Sequence, residues 1–223
     1  MRVAIFGASG MVGGGVLLES LDDPRVDSVL VVGRRSCGVT HRKLEEVLHA
    51  DFYDFSALHG RLAGLDAVFF CLGTTSAGKT EADYTHQTYD LTLAAARAIV
   101  KASPGAVFVY VSGVGTDSTE RGRVMWARVK GRTENAILVL PFRGAYMLRP
   151  GFIESLRGVS SSTPLYNTLY RLFAPLLPLA RRLFPDRIVT TVEVGRAMIR
   201  LAAEGDARKV LEPADIRRLA AAG

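Results

Sequence analysis

The stretch Arg2-Val3-Ala4-Ile5-Phe6-Gly7-Ala8-Ser9-Gly10-Met11-Val12-Gly13-Gly14-Gly15 constrains this chain more than any other. Val3 to Phe6 is an unbroken apolar run, the pattern of a strand buried on both faces in a parallel sheet. Gly7, Gly10 and Gly13 follow at a G-x-x-G-x-x-G spacing, and helical periodicity begins at about Met11. Glycine at such a turn lets the backbone bend tightly and approach a phosphate, where the helix's free N–H groups and dipole favour negative charge. Inside a helix Gly13, Gly14 and Gly15 each cost roughly 1 kcal/mol relative to alanine. A connection that merely joined a strand to a helix needs no such run. The segment from Gly7 to Gly13, with Ala8, Ser9, Met11 and Val12 between the glycines, is therefore a candidate phosphate cradle.

Composition narrows the class. The 223 residues, 48% hydrophobic and 22% charged, are those of a globular protein able to bury a substantial core. The net charge is +6, but the tightest basic groups are the pairs Arg34-Arg35, Arg181-Arg182 and Arg217-Arg218. These are too dispersed for a nucleic-acid groove, so no nucleic-acid partner is expected. Cys37 and Cys71 lack metal-ligand or redox spacing, and His41, His49, His59 and His86 lack metal spacing. The apolar start runs straight into the glycine loop without the layout of a signal peptide. No apolar run reaches the ~18 residues that span a bilayer. The expectation is a cytoplasmic protein with no integral membrane segment.

Strand and helix patterns then alternate. Strands are predicted at 28–32, 44–49, 67–72, 106–111 and 144–148, with helices at 11–21, 55–62, 81–102 and 121–139 between them. This is the signature of an α/β fold, a Rossmann-type doubly wound parallel sheet. A single domain over 1–223 is expected, with its core at about 1–155 and a small C-terminal helical segment, about 156–223, covering the cleft. Within that tail 190–203 reads as an amphipathic helix, 209–211 as a strand and 214–222 as a last helix. The apolar stretch 165–184, kinked at Pro175 and Pro178, reads as an ordinary packed helix, a lid, a dimer surface or an interfacial helix. A homodimer or a partner protein stays open.

The second strand selects the cofactor. Dinucleotide folds that prefer NAD usually end this strand with a carboxylate for the ribose hydroxyls, whereas this one ends in Gly33-Arg34-Arg35. Guanidinium binds a 2′-phosphate bidentately, so NADP(H) is expected in preference to NAD(H). Asp51 reads equally as an acceptor for the adenine amino group or as a helix cap.

With these motifs in place the chain resembles the short-chain dehydrogenases/reductases, in their atypical and extended branches. Cys71-Leu72-Gly73-Thr74-Thr75, Val129-Lys130-Gly131 and Arg149-Pro150-Gly151 sharpen the likeness to the NAD(P)H-binding Tat-interacting-protein-like subfamily and its bacterial, epimerase-like relatives. The resemblance covers about 1–155. It implies that the glycines hold the pyrophosphate, Arg34 with Arg35 the 2′-phosphate, and Asp51 with Phe52 the adenine. Leu72, Gly73 and Thr74 would flank the riboses, and Arg149, Pro150 and Gly151 would border the cofactor. Ser112 matches a catalytic serine that polarises a substrate carbonyl. Lys130 matches the lysine that binds the nicotinamide ribose and lowers the pKa of a tyrosine four residues earlier.

That tyrosine is Trp126 here. Indole N–H donates a hydrogen bond but does not ionise, and losing a positioned acid costs about 10²–10⁴-fold in rate. Trp126 and Thr75 are expected in the substrate pocket, Trp126 stacking on nicotinamide or an aromatic substrate. Tyr84, Tyr89, Tyr110 and Tyr146 are other possible acids. The resemblance implies an oxidoreductase that moves hydride between NADPH and a small carbonyl or quinone-like molecule. The alternative is a cofactor-binding sensor or regulatory protein that has lost the chemistry. A sugar-nucleotide epimerase is weaker, since epimerases also rely on the tyrosine.

Overall fold

Runs rich in valine, isoleucine, leucine and phenylalanine form the central strands, buried on both faces, and shorter, partly exposed segments form other strands. The strands are β1 (Arg2–Phe6), β2 (Ser28–Gly33), β3 (Leu44–Leu48), β4 (Ala67–Phe70), β5 (Val107–Val111), β6 (Gly144–Leu148), β7 (Phe152–Glu154), β8 (Ile188–Thr190) and β9 (Val210–Leu211). The structure is a computed structural model and describes residues 1–158 and 187–221. Seven strands form one sheet in the order β3-β2-β1-β4-β5-β6-β9, and every pairing in it is parallel. β7 and β8 pair separately, also in parallel, a small sheet that the sequence patterns do not announce.

Helices cover both faces. They are α1 (Met11–Asp22), α2 (His59–Leu62), α3 (Glu81–Thr85), α4 (Leu91–Ala102), α5 (Met125–Leu138), α6 (Thr191–Ala203) and α7 (Pro213–Ala221). Alternate residues of β1 serve the two layers. Val3 and Ile5 join a core with Val16 of α1, Met198 of α6 and Ile216 of α7. Ala4 and Phe6 join another with Leu62 of α2, Leu93 of α4 and Ile137 of α5. The fold is the doubly wound one expected.

Glycine sets the distance between β1 and α1. A Cβ on Gly13 would lie 2.2 Å from the Gly7 carbonyl oxygen. Gly7 has φ +87°, and its own Cβ would meet the Cys71 backbone at 2.9 Å. Gly15 does something else: its Cβ would lie 2.5 Å from Thr191 Cβ, so it lets α6 seat against α1. The glycine run is therefore partly a helix-packing feature, which corrects the reading that structure alone would not require it.

Other boundaries move for local reasons. The helix expected over 81–102 contains a wide π-type turn, His86–Asp90, between α3 and α4. The helix expected from 121 begins at Met125. The Asp117 carboxylate takes the amides of Thr119 and Gly122, and Glu120 has φ +62°, which holds that stretch as a turn. In the tail, Thr190 and Glu193 form a capping box that starts α6. β9 adds to the main sheet and α6 packs on α1, so residues 187–221 complete the core instead of covering the cleft. The 165–184 stretch lies outside the described residues, and so do its four readings.

Gly13→Ala should lower stability by about 1–3 kcal/mol or more, since the added methyl meets fixed backbone. Gly60→Ala, in α2 with open space around its Cβ, should instead raise it by about 0.5–1 kcal/mol. Urea denaturation of the two variants checks the contrast.

Candidate functional site

The strand order reverses at β1, whose neighbours are β2 and β4. Beyond the carboxyl ends of these strands lies a crevice of about 750 Å³, where such sheets bind ligands. Gly7, Ala8 and Ser9 form its floor. Arg34 and Arg35 after β2 stand on one wall with Asp51 and Phe52 after β3. Leu72, Gly73 and Thr74 after β4 form the opposite wall, and Lys130 of α5 marks the far end.

The floor suits an anion. Gly10 is the N-cap of α1, no side chain caps it, and the first turn holds no acidic residue. The amides of Met11, Val12 and Gly13 are first-turn donors with no helical acceptor. Positive helix-end charge, small residues and two arginines on the wall together fit a phosphate-bearing ligand. Asp51 accepts from the Tyr53 amide at 2.8 Å, while Asp54 takes the Ser56 amide at 2.8 Å before the short 3₁₀ turn. The capping role thus falls to Asp54, and Asp51 stays on the crevice wall. Tyr53 and His86, the histidine that the sequence places towards the cleft, both line the crevice and stack at 4.4 Å.

Next to the crevice lies a second cavity of about 570 Å³. Gly10, Met11 and Val12 open onto it, with Ser112 and Gly113 after β5 and Pro150 and Gly151 after β6. Leu72, Gly73 and Lys130 belong to both cavities. Lys130 Nζ donates to the Ser112 carbonyl at 2.7 Å. Burial lowers its pKa to about 8, against an opposing push from the Glu134 charge one helical turn along.

Glu134 is the residue that the sequence reading missed. Its carboxylate is fully buried. Ser112 Oγ donates to Glu134 Oε1 at 2.5 Å, with the Leu148 carbonyl 3.1 Å away. Arg149 grips the same carboxylate through Nε at 3.0 Å and a terminal nitrogen at 2.5 Å. Glu134 also holds the Arg149 pKa above its ordinary value. The available signal was its i,i+4 spacing from Lys130, which puts both on one face of α5. The consequences correct two expectations. Arg149 borders neither cavity, because its guanidinium is turned to Glu134. Ser112 lines the second cavity, but its proton is directed at Glu134 and away from a substrate.

Two expected pocket residues also stand apart. Trp126 packs on the turn at Gly115, whose Cβ would lie 3.4 Å from the indole ring, and it is not among the residues lining either cavity. Thr75 accepts from the Ala77 amide at 3.2 Å and borders neither cavity. Of the tyrosines, Tyr84 and Tyr110 line the crevice. Tyr146 lies in the opposite core under Lys209, and Tyr89 lies under Arg132. The four histidines and the cysteines form no metal cluster among the described residues.

Residues 3–122 match the model of the NAD dependent epimerase/dehydratase family. The chain belongs to that family. Its relatives include the mitochondrial protein fmp52-2 of Aspergillus oryzae, 31% identical over 97% of this chain and 95% of that protein. UDP-N-acetylglucosamine 4-epimerase from Bacillus cereus shares the fold at a TM-score of 0.68, with 14% identity over 98% of this chain and 82% of that one. The Bordetella bronchiseptica enzyme WbmF, solved with NAD+, aligns at a TM-score of 0.66, with 17% identity over 99% of this chain and 76% of that one. The relatives correct the cytoplasmic expectation for this family member, because those from A. oryzae, Chaetomium globosum and Eremothecium gossypii are all named mitochondrial. No helix among the described residues is long and apolar enough to cross a membrane.

Arg149→Met leaves the Glu134 carboxylate buried without its cation, which should cost about 3–5 kcal/mol of stability. Denaturant titration reads that loss, and a variant as stable as the parent would show that the pair does not hold the site together.

Proposed function

We propose that this family member is an NADP(H)-dependent oxidoreductase of the short-chain dehydrogenase/reductase type, acting on a small carbonyl or quinone-like molecule. The observation that carries this reading is the junction at Leu72, Gly73 and Lys130, where a phosphate-suited crevice meets a second cavity. Arg34, the glycine floor and Lys130 would hold a dinucleotide along the crevice, with its nicotinamide end towards that junction. When bound, it supplies or removes hydride there. The family assignment and the doubly wound sheet support a nicotinamide dinucleotide.

The chain's own residues do the rest. The α1 amides of Met11 and Val12 bind the pyrophosphate, and Asp51 and Phe52 border the adenine. Arg34 and Arg35 meet the 2′-phosphate that distinguishes NADP from NAD. Leu72 and Thr74 flank the riboses, and Lys130 orients the nicotinamide ribose. Met11, Val12, Val114 and Ile153 line the second cavity together with Ser112, Lys130 and glycine backbone, a mixed lining that suits a small substrate with both apolar and polar groups. The likeness to the Tat-interacting-protein-like subfamily rests on the four motifs at Gly7, Cys71, Val129 and Arg149.

Two observations favour the sensor reading: Trp126 replaces the usual acid, and the Ser112 hydroxyl donates to Glu134. Steady NADPH oxidation with any carbonyl or quinone separates the two. For the cofactor, Arg34→Glu should weaken NADPH by about 10- to 100-fold, the range of one or two lost charge-assisted hydrogen bonds. NADH affinity should hold or improve. Calorimetry with both nucleotides checks this, and an equal loss for both would remove Arg34 from the 2′-phosphate site.

A further inference from the structure

We propose that Lys130 is itself the proton donor to the acceptor oxygen, doing the work that a tyrosine at position 126 would otherwise do. The proposal rests on the oxidoreductase reading above. It begins from a shortage of acids. Among the described residues lining the second cavity, the ionisable side chains are Cys71 and Lys130. Trp126 brings only an indole N–H and packs on Gly115. Ser112 offers no free proton, because its hydroxyl donates to the Glu134 carboxylate that Arg149 grips.

Lys130 has donors left. An ammonium carries three N–H groups, and one of them is used on the Ser112 carbonyl. Nζ forms no ion pair among the described residues, and it stands where the two cavities meet. Burial brings its pKa to about 8, near the range in which a general acid works best, whereas burial moves the Cys71 thiol to about 12. The titratable and charged groups on the elements around Lys130 are Arg128, Arg132 and Glu134 on α5, Glu81, Asp83 and Tyr84 on α3, His86, Tyr89 and Asp90 on the wide turn, Tyr110 on β5, Cys71 after β4 and Arg149 after β6. Burial raises the phenols of Tyr84 and Tyr110, and both line the crevice and not the second cavity.

The step balances. The acceptor carbon takes a hydride from the reduced nicotinamide, and the π pair of the carbonyl moves onto its oxygen. That oxygen forms an O–H bond with a proton from Nζ as an N–H bond breaks. The products are an alcohol, the oxidised dinucleotide and a neutral amine, which solvent reprotonates. In the reverse direction the neutral amine takes the alcohol proton.

Two measurements on the full chain test this. The first needs no turnover: the Cε resonance of Lys130 in ¹³C-lysine-labelled protein, assigned by its absence in Lys130→Arg, followed over about pH 6 to 11. A midpoint near 8 is expected, and one at the ordinary lysine value of about 10.4 overturns the proposal. The second follows NADPH oxidation with a panel of small aldehydes, ketones and quinones. Reduction needs the protonated amine, so kcat/KM should fall above the Lys130 midpoint by about tenfold per pH unit. Lys130→Arg keeps a cation for the ribose but cannot release a proton, and it should lose about 10²–10⁴-fold in kcat while retaining NADPH binding. Turnover that Lys130→Arg preserves overturns the proton-donor assignment and leaves the oxidoreductase reading standing. A wild-type protein that binds NADPH yet reduces none of the panel overturns both.

Discussion

The contact between Gly13 and the Gly7 carbonyl fixes everything around the site. With no Cβ at either position, α1 starts directly against the end of β1 and its first turn points into the gap where the sheet order reverses. Gly7 in turn lies against the backbone at Cys71, so the loops after β1 and β4 leave the sheet side by side. One close approach thus places a helix N-terminus, a flat floor and the Leu72 wall together. The two arginines after β2 then give the crevice its sign.

A second constraint sits on the far side of the junction. Glu134 and Arg149 form a buried pair that joins α5 to the end of β6, and its carboxylate accepts the Ser112 hydroxyl's hydrogen bond. A buried ion pair is a doubtful source of net stability, because desolvation offsets most of the attraction. Its effect here is positional. It holds Ser112, and Ser112 presents its carbonyl to Lys130 Nζ. The lysine that borders both cavities is therefore held by a network whose charged members lie outside them.

Much of the fold was legible because it follows from periodicity. Strands apolar on both faces, separated by amphipathic helices, leave few alternatives to a doubly wound parallel sheet. The crevice was equally legible, since Gly7, Arg34, Asp51 and Leu72 all follow strands and strand ends converge. What escaped the sequence depends on side-chain direction. Arg149 follows β6 and reads as a crevice residue, but the nearest charge is Glu134, which only the packing of α5 brings into reach. Trp126 shares a helix with Lys130, yet its ring goes to the space that Gly115 leaves open. The wide turn at His86 and the pairing of β7 with β8 join segments whose patterns carry no local mark.

The central claim is that the crevice holds a dinucleotide with its phosphates on α1 and its nicotinamide at Lys130. A crystal structure of the full chain with NADP+ tests it most directly. The account predicts pyrophosphate oxygens on the amides of Met11 and Val12, the 2′-phosphate on Arg34 or Arg35, and the nicotinamide at the Leu72, Gly73 and Lys130 junction. A dinucleotide lying elsewhere, or one whose nicotinamide end is turned away from Lys130, would contradict it.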